Sequence, residues 1–85
     1  MSGFAAALAA LPTGTFFGRA QGRRYVVTKT VLGDGRTTKL VAEELGGTDY
    51  ISLNHFALRS GARLKPCEMP EAKVRSFVLN LTPNQ

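Results

Sequence analysis

The chain has 85 residues and a mass of 9.1 kDa, which is enough for one domain with one core; at this size folding buries roughly 60–65% of the unfolded surface. Its hydrophobic content of 44% excludes a disordered chain, and no apolar run approaches the roughly 18 residues of a membrane span. Eleven Lys and Arg against six Asp and Glu give a net charge of +5, which points toward polyanions such as nucleic acid but also serves the solubility of a small domain.

The first predicted element is a helix over residues 3–10. Phe4, Leu8 and Leu11 follow i, i+4, i+7 spacing, and Pro12 ends the run. The segment is about eight residues long and lacks a basic lead-in, so it reads as a helix rather than a signal peptide. Asn80-Leu81-Thr82 has the form of a glycosylation acceptor, but Pro83 follows it and no secretion signal precedes it. The expectation is a cytoplasmic protein.

Five strand-like runs come next, at about 14–20, 23–32, 36–45, 48–58 and 63–67. They are separated by Gln21-Gly22, Asp34-Gly35, Gly46-Gly47 and Ser60-Gly61, pairs that suit tight hairpins needing positive φ. The last element is a helix over 70–81 with Val74, Phe77, Val78 and Leu81 on one face. Pro70 suits its first position, and Glu71 and Arg75 form an i, i+4 pair. The predicted fold is α+β: an antiparallel meander of four to five strands, a short N-terminal helix, and a C-terminal helix packed on one face. Residues 54–61 have a second reading, a short helix capped by Asn54 and ended by Gly61.

Treating each Gly pair as a two-residue loop fixes the register. Val31 then faces Thr38, Lys29 faces Leu40, and Val27 faces Ala42. Ala42 faces Ile51, Leu40 faces Leu53, and Thr38 faces His55. Phe16 faces Val27, Gly18 faces Tyr25, and Ala57 faces Leu64. One face collects Phe16, Tyr25, Val27, Val31, Leu40, Ala42, Ile51, Leu53, Ala57 and Leu64, the surface a helix would cover. Two residues fit that face badly: Lys29 must snorkel to an edge, and Glu44 opposes Asp49.

The opposite face collects Arg19, Arg24, Lys39, Arg63 and Lys65 with Glu43 as its one acid. Phe17, Tyr50 and Phe56 lie among them, with Val26, Val41 and several Thr, Ser and Asn side chains. Cations that follow phosphates, interleaved with rings that stack on bases, are the means by which single strands are held. The plainer reading is a solvated sheet face, which commonly carries Thr, Lys and aromatics, or a face covered by the N-terminal helix over Phe17, Val26, Val41 and Phe56.

Single residues add little chemistry. Cys67, the one cysteine, rules out an intramolecular disulfide, and with His55 as the one histidine it rules out a structural zinc site; no cofactor or metal is expected. His55 faces only Thr38, Cys67 reads as a half-buried inert thiol, and the acids show no paired-carboxylate spacing. Gly33-Asp34-Gly35-Arg36-Thr37 lacks the lysine and spacing of a phosphate loop. No catalytic residue is expected.

Arg24-Tyr25-Val26, a glycine nine residues after Arg24, and Ile51-Ser52-Leu53-Asn54 ahead of an amphipathic helix resemble the transcriptional-coactivator family of the positive-cofactor-four type. The resemblance covers roughly residues 23–81. It implies an antiparallel meander with a helix, dimerisation, and single-stranded DNA held on the sheet, with Arg24, Lys39 and Tyr50 on the binding face. The chain departs from that pattern by about 15 residues inserted between Asn54 and the helix. Two functions are carried forward. The first is a non-enzymatic single-stranded nucleic-acid-binding domain using Arg19, Arg24, Lys39, Tyr50, Phe56, Arg63 and Lys65. The second is a protein-interaction module or homodimer. Neither involves a membrane.

Overall fold

The structure is a computed structural model that describes residues 3–33, 35–58 and 61–84. In chain order it comprises α1 (Gly3–Ala10), β1 (Gly14–Ala20), β2 (Arg23–Leu32), β3 (Thr37–Glu44), β4 (Tyr50–Leu58), β5 (Gly61–Pro66), α2 (Glu71–Asn80) and β6 (Thr82–Pro83). All strand pairs are antiparallel, in the order β5-β4-β3-β2-β1-β6. The α+β meander is therefore as expected from the sequence, with a sixth, two-residue strand added. β6 returns from α2 to pair Gly18 with Pro83 and Arg19 with Thr82. Gly18 permits this return, because a Cβ there would meet Leu81 Cδ1 at 2.8 Å and the Thr82 carbonyl oxygen at 3.1 Å.

The register of β1 to β4 is as predicted. Phe16 faces Val27, Val27 faces Ala42, Lys29 faces Leu40, Leu40 faces Leu53, and Thr38 faces His55. At the first turn Gln21 and Gly22 have φ of 53° and 79°, the pair of left-handed residues a type I′ hairpin requires. At the second turn the Arg36 N–H donates to the Gly33 carbonyl at 3.1 Å and Gly35 has φ of 87°; Asp34 lies outside the described residues. Residues 54–58 are strand, not helix.

The last hairpin differs from expectation. Ala57 faces Ala62, and Leu64 faces His55 rather than Ala57. Leu58 pairs with Gly61, so Gly61 belongs to the strand rather than to a Ser60-Gly61 turn; Arg59 and Ser60 lie outside the described residues. β5 is accordingly Gly61–Pro66 rather than 63–67. The partner moves by two residues, which preserves the face each side chain occupies. α2 also begins one residue late, with Pro70 at the N-cap in extended conformation and Leu81 at the C-cap.

Both helices pack on the same face of the sheet. Val74, Phe77 and Val78 of α2, with Leu81, and Phe4, Leu8 and Leu11 of the N-terminal segment are buried with Tyr25, Val27, Leu40, Ala42, Ile51 and Leu53. Phe77 meets Tyr25 edge-on with ring centroids 4.8 Å apart. The alternative in which α1 covers Phe17, Val26, Val41 and Phe56 does not hold, since its apolar stripe faces the same core as that of α2. Val31 and Ala57, assigned to the core face by register, are exposed at the ends of their strands beyond the reach of either helix.

Lys29 does not snorkel. It is 4% exposed, and its ammonium donates to the carbonyls of Leu8, Ala9 and Leu11 at 2.8, 3.1 and 2.8 Å. The last turn of α1 has no basic residue of its own, and a helix end leaves carbonyls without partners. Lys29 reaches from β2 to satisfy them and places a cation at the negative end of the helix dipole.

Candidate nucleic-acid interface

With both helices on one side, the other side of the sheet lies open, and the pairing defines rows of side chains across it. At one end Thr82, Arg19 and Arg24 form a row that reaches Leu45, whose N–H donates to the Arg24 carbonyl at 2.8 Å. The next row is Phe17, Val26, Glu43 and Tyr50; Phe17 is 53% and Tyr50 44% exposed. A polar row follows: Thr15, bonded to Thr28 hydroxyl to hydroxyl at 3.1 Å, then Val41 and Ser52. Beyond it run Thr30, Lys39, Asn54 and Lys65, and last Leu32, Thr37, Phe56 and Arg63.

All seven residues assigned to binding from the sequence thus share this face. Arg19, Arg24, Lys39, Tyr50, Arg63 and Lys65 are exposed, while Phe56 is half-buried. Strand spacing places Lys39 and Lys65, with Asn54 between them, about 10 Å apart, and Tyr50 and Phe56 about 20 Å apart along β4. Sequence reasoning missed Thr15, Leu32, Leu45, Cys67 and Thr82 as members of the face. Leu32 has the right alternation and could have been found. Leu45 sits in a turn, and Thr82 joins through a strand too short to leave a pattern.

Charge is segregated between the two sides. On the helix side the Tyr25 hydroxyl donates to Asp49 Oδ2 at 2.9 Å and Lys73 Nζ donates to Asp49 Oδ1 at 2.7 Å. Arg23 lies 3.6 Å from Glu44 and 3.8 Å from Asp49, and Arg75 donates to Glu71 at 2.6 Å. The opposition of Glu44 and Asp49, expected to be unfavourable, is offset by these three cationic and phenolic partners. Among the described residues, the ion pairs engage Arg23, Lys73 and Arg75 and none of the open-face cations. Glu43 is left as the one acid among five bases there, so positive potential concentrates on the open face.

The acidic cluster fastens α2 to the sheet and sets a pH dependence. The hydrogen bond from Lys73 holds the Asp49 carboxyl below the usual range; burial opposes this, and the Tyr25 hydroxyl reinforces it. Burial, then Asp49, pushes the Tyr25 phenol up, so it remains a donor. A carboxyl whose folded pKa is depressed stabilises the fold above its unfolded pKa of about 3.9 and loses that contribution as pH falls through the folded value. The melting temperature should therefore drop more steeply below about pH 4 in the parent than in Asp49→Asn. Circular dichroism melts from neutral to strongly acid pH check this, and parallel curves would remove Asp49 from the account.

His55 and Cys67 have ordinary packing partners. Burial, then Arg75, lowers the His55 pKa, and its ring packs against Phe4 with centroids 5.9 Å apart. Cys67 is half-buried on the open face, with Asn54 Nδ2 3.9 Å from its sulfur. Among the described residues no three His, Cys, Asp or Glu side chains stand together as metal ligands, and no helix is long and apolar enough to cross a membrane.

The geometry defines a small α+β domain with one face sealed by two helices and the other open, basic and partly aromatic. No protein-family model, curated protein or solved structure matches the chain.

Proposed function

We propose that this protein is a non-enzymatic domain that binds single-stranded nucleic acid on the open sheet face. The observation that carries the reading is the segregation of charge. The acids Glu44, Asp49 and Glu71 are engaged with cations on the helix side, while Arg19, Arg24, Lys39, Arg63 and Lys65 stand opposite beside exposed Phe17 and Tyr50. Phosphates would be met by the cations and bases by the rings. The resemblance of Arg24-Tyr25-Val26 and Ile51-Ser52-Leu53-Asn54 to the positive-cofactor-four type of coactivator points the same way, since Arg24, Lys39 and Tyr50 all lie on this face. Exposed Phe17, Leu32, Leu45 and Tyr50 favour a second reading, an interaction surface for protein. Stacking two copies face to face would oppose like charges, so that reading requires an acidic partner.

A fluorescent single-stranded oligonucleotide tests the proposal by anisotropy. Binding should appear at low salt, and log affinity should fall linearly with log salt, by about 0.7 per phosphate contacted. Arg24→Ala and Lys39→Ala should each weaken binding and make that slope shallower. Tyr50→Ala should cost about 1–3 kcal/mol with little change in slope, because stacking releases no counterions. Folded protein that binds nothing at low salt, or three variants that match the parent, would overturn the nucleic-acid reading in favour of a protein partner.

A further inference from the structure

One pair on the open face is unfavourable as it stands. Arg19 of β1 lies directly opposite Arg24 of β2. The Arg24 carbonyl accepts from Leu45 on the β3 side, and the Phe17 carbonyl accepts from Asn84 on the β6 side. Backbone groups of alternate residues in a strand point the same way, so those of Arg19 face β6 and those of Arg24 face β3. The two arginines thus form a non-hydrogen-bonded pair, the kind whose Cα atoms approach to about 4.5 Å and whose side chains come closest. Like charges at such positions destabilise a sheet. Among the described residues neither arginine has an acidic partner, whereas neighbouring Arg23 has two. The type I′ turn at Gln21-Gly22, one residue away, holds the pair in register. Thr82 adds a hydroxyl on the far side of Arg19, and Phe17 and Tyr50 occupy the next row.

We propose that the Arg19–Arg24 pair is the anchoring phosphate site of the open face, the point where one phosphate of a single strand bridges both guanidiniums while the adjacent base meets Phe17 or Tyr50. This rests on the nucleic-acid reading and adds a hierarchy to it. Paired guanidiniums present forked donors to one phosphate, while Lys39 and Lys65, separated by Asn54, each follow a different phosphate as point charges. The bridging phosphate removes the repulsion the free protein carries, so the anchor gains most from binding.

The experiment compares Arg19→Gln/Arg24→Gln with Lys39→Gln/Lys65→Gln, each verified as folded by circular dichroism. The lysine variant should lower the salt slope by about 1.4, for two phosphates, and the arginine variant by about 0.7, for the one phosphate its pair bridges. At one fixed salt, the arginine variant should lose at least about tenfold in affinity for a labelled oligothymidylate and the lysine variant about threefold or less. Without ligand the arginine variant should melt above the parent. Inorganic triphosphate should raise the melting temperature of the parent and leave that of the arginine variant unmoved. An oligonucleotide that binds with equal losses in both variants, together with a triphosphate shift that persists in the arginine variant, would overturn the anchor and leave the nucleic-acid reading standing. A triphosphate shift confined to the parent, with no oligonucleotide binding, would uphold the arginine pair as a site for free phosphates and overturn the nucleic-acid reading.

Discussion

Phe77→Ala should lower the unfolding free energy by about 3–5 kcal/mol, because it removes a buried aromatic and leaves a cavity that a helix pinned at both ends cannot close. Phe77 is 4% exposed and sits edge-on to Tyr25. Tyr25 is fixed in turn by its bond to Asp49, and Asp49 holds Lys73 one turn earlier on α2. Val74 and Val78 bury the same helix on either side of Phe77, and Leu81 locks its end beside Gly18. A domain of this length has a total stability of only several kcal/mol by the usual per-residue scale, so the variant should be close to half unfolded near physiological temperature. Urea melts of parent and variant measure the difference. A change below about 1 kcal/mol with an unaltered m-value would show that α2 does not depend on this contact.

The fold was legible wherever two local signals agreed. Asp34-Gly35 and the alternation of Val27, Lys29 and Val31 against Thr38, Leu40 and Ala42 point to one register, and the structure has it. The β4–β5 hairpin differs because Gly61, although its φ of 123° is the positive value a turn glycine takes, pairs with Leu58 as the first residue of β5. β6 left no signal, since two residues cannot show a period. The membership of the open face was legible because alternation survives a two-residue slip. That the face is open was not legible. It depends on which side α1 takes, and a stripe of Phe4, Leu8 and Leu11 fits either side equally well. The deciding residue was Lys29, which reads from sequence as a misfit on an apolar face and acts as a tether across 18 to 21 residues of chain. The missing information was a long-range pairing between a side chain and a helix end, which no local pattern encodes.

Lys29→Met is the sharpest test of that tether and of the division between the two faces. Methionine keeps the length of the stem and removes the ammonium, so the carbonyls of Leu8, Ala9 and Leu11 lose their shared donor. Burial lowers the Lys29 pKa, while the three carbonyls favour its proton, so the charged form is both costly to bury and held by its partners. Removing the donor alone leaves the acceptors behind, and hydrogen bonds to charged groups contribute about 1.5–3 kcal/mol. The loss should be of that size and limited by the release of α1. Hydrogen exchange should then quicken across Gly3–Ala10 well before it does in β2 and β3. Oligonucleotide binding should be unchanged at temperatures where the sheet remains folded, since Lys29 points away from Arg19, Arg24 and Lys39. A variant as stable as the parent, with α1 protection intact, would show that the bonds to Lys29 merely balance its desolvation. Binding lost in a variant whose sheet is still folded would place the ligand on the helix side and remove the open face from the account.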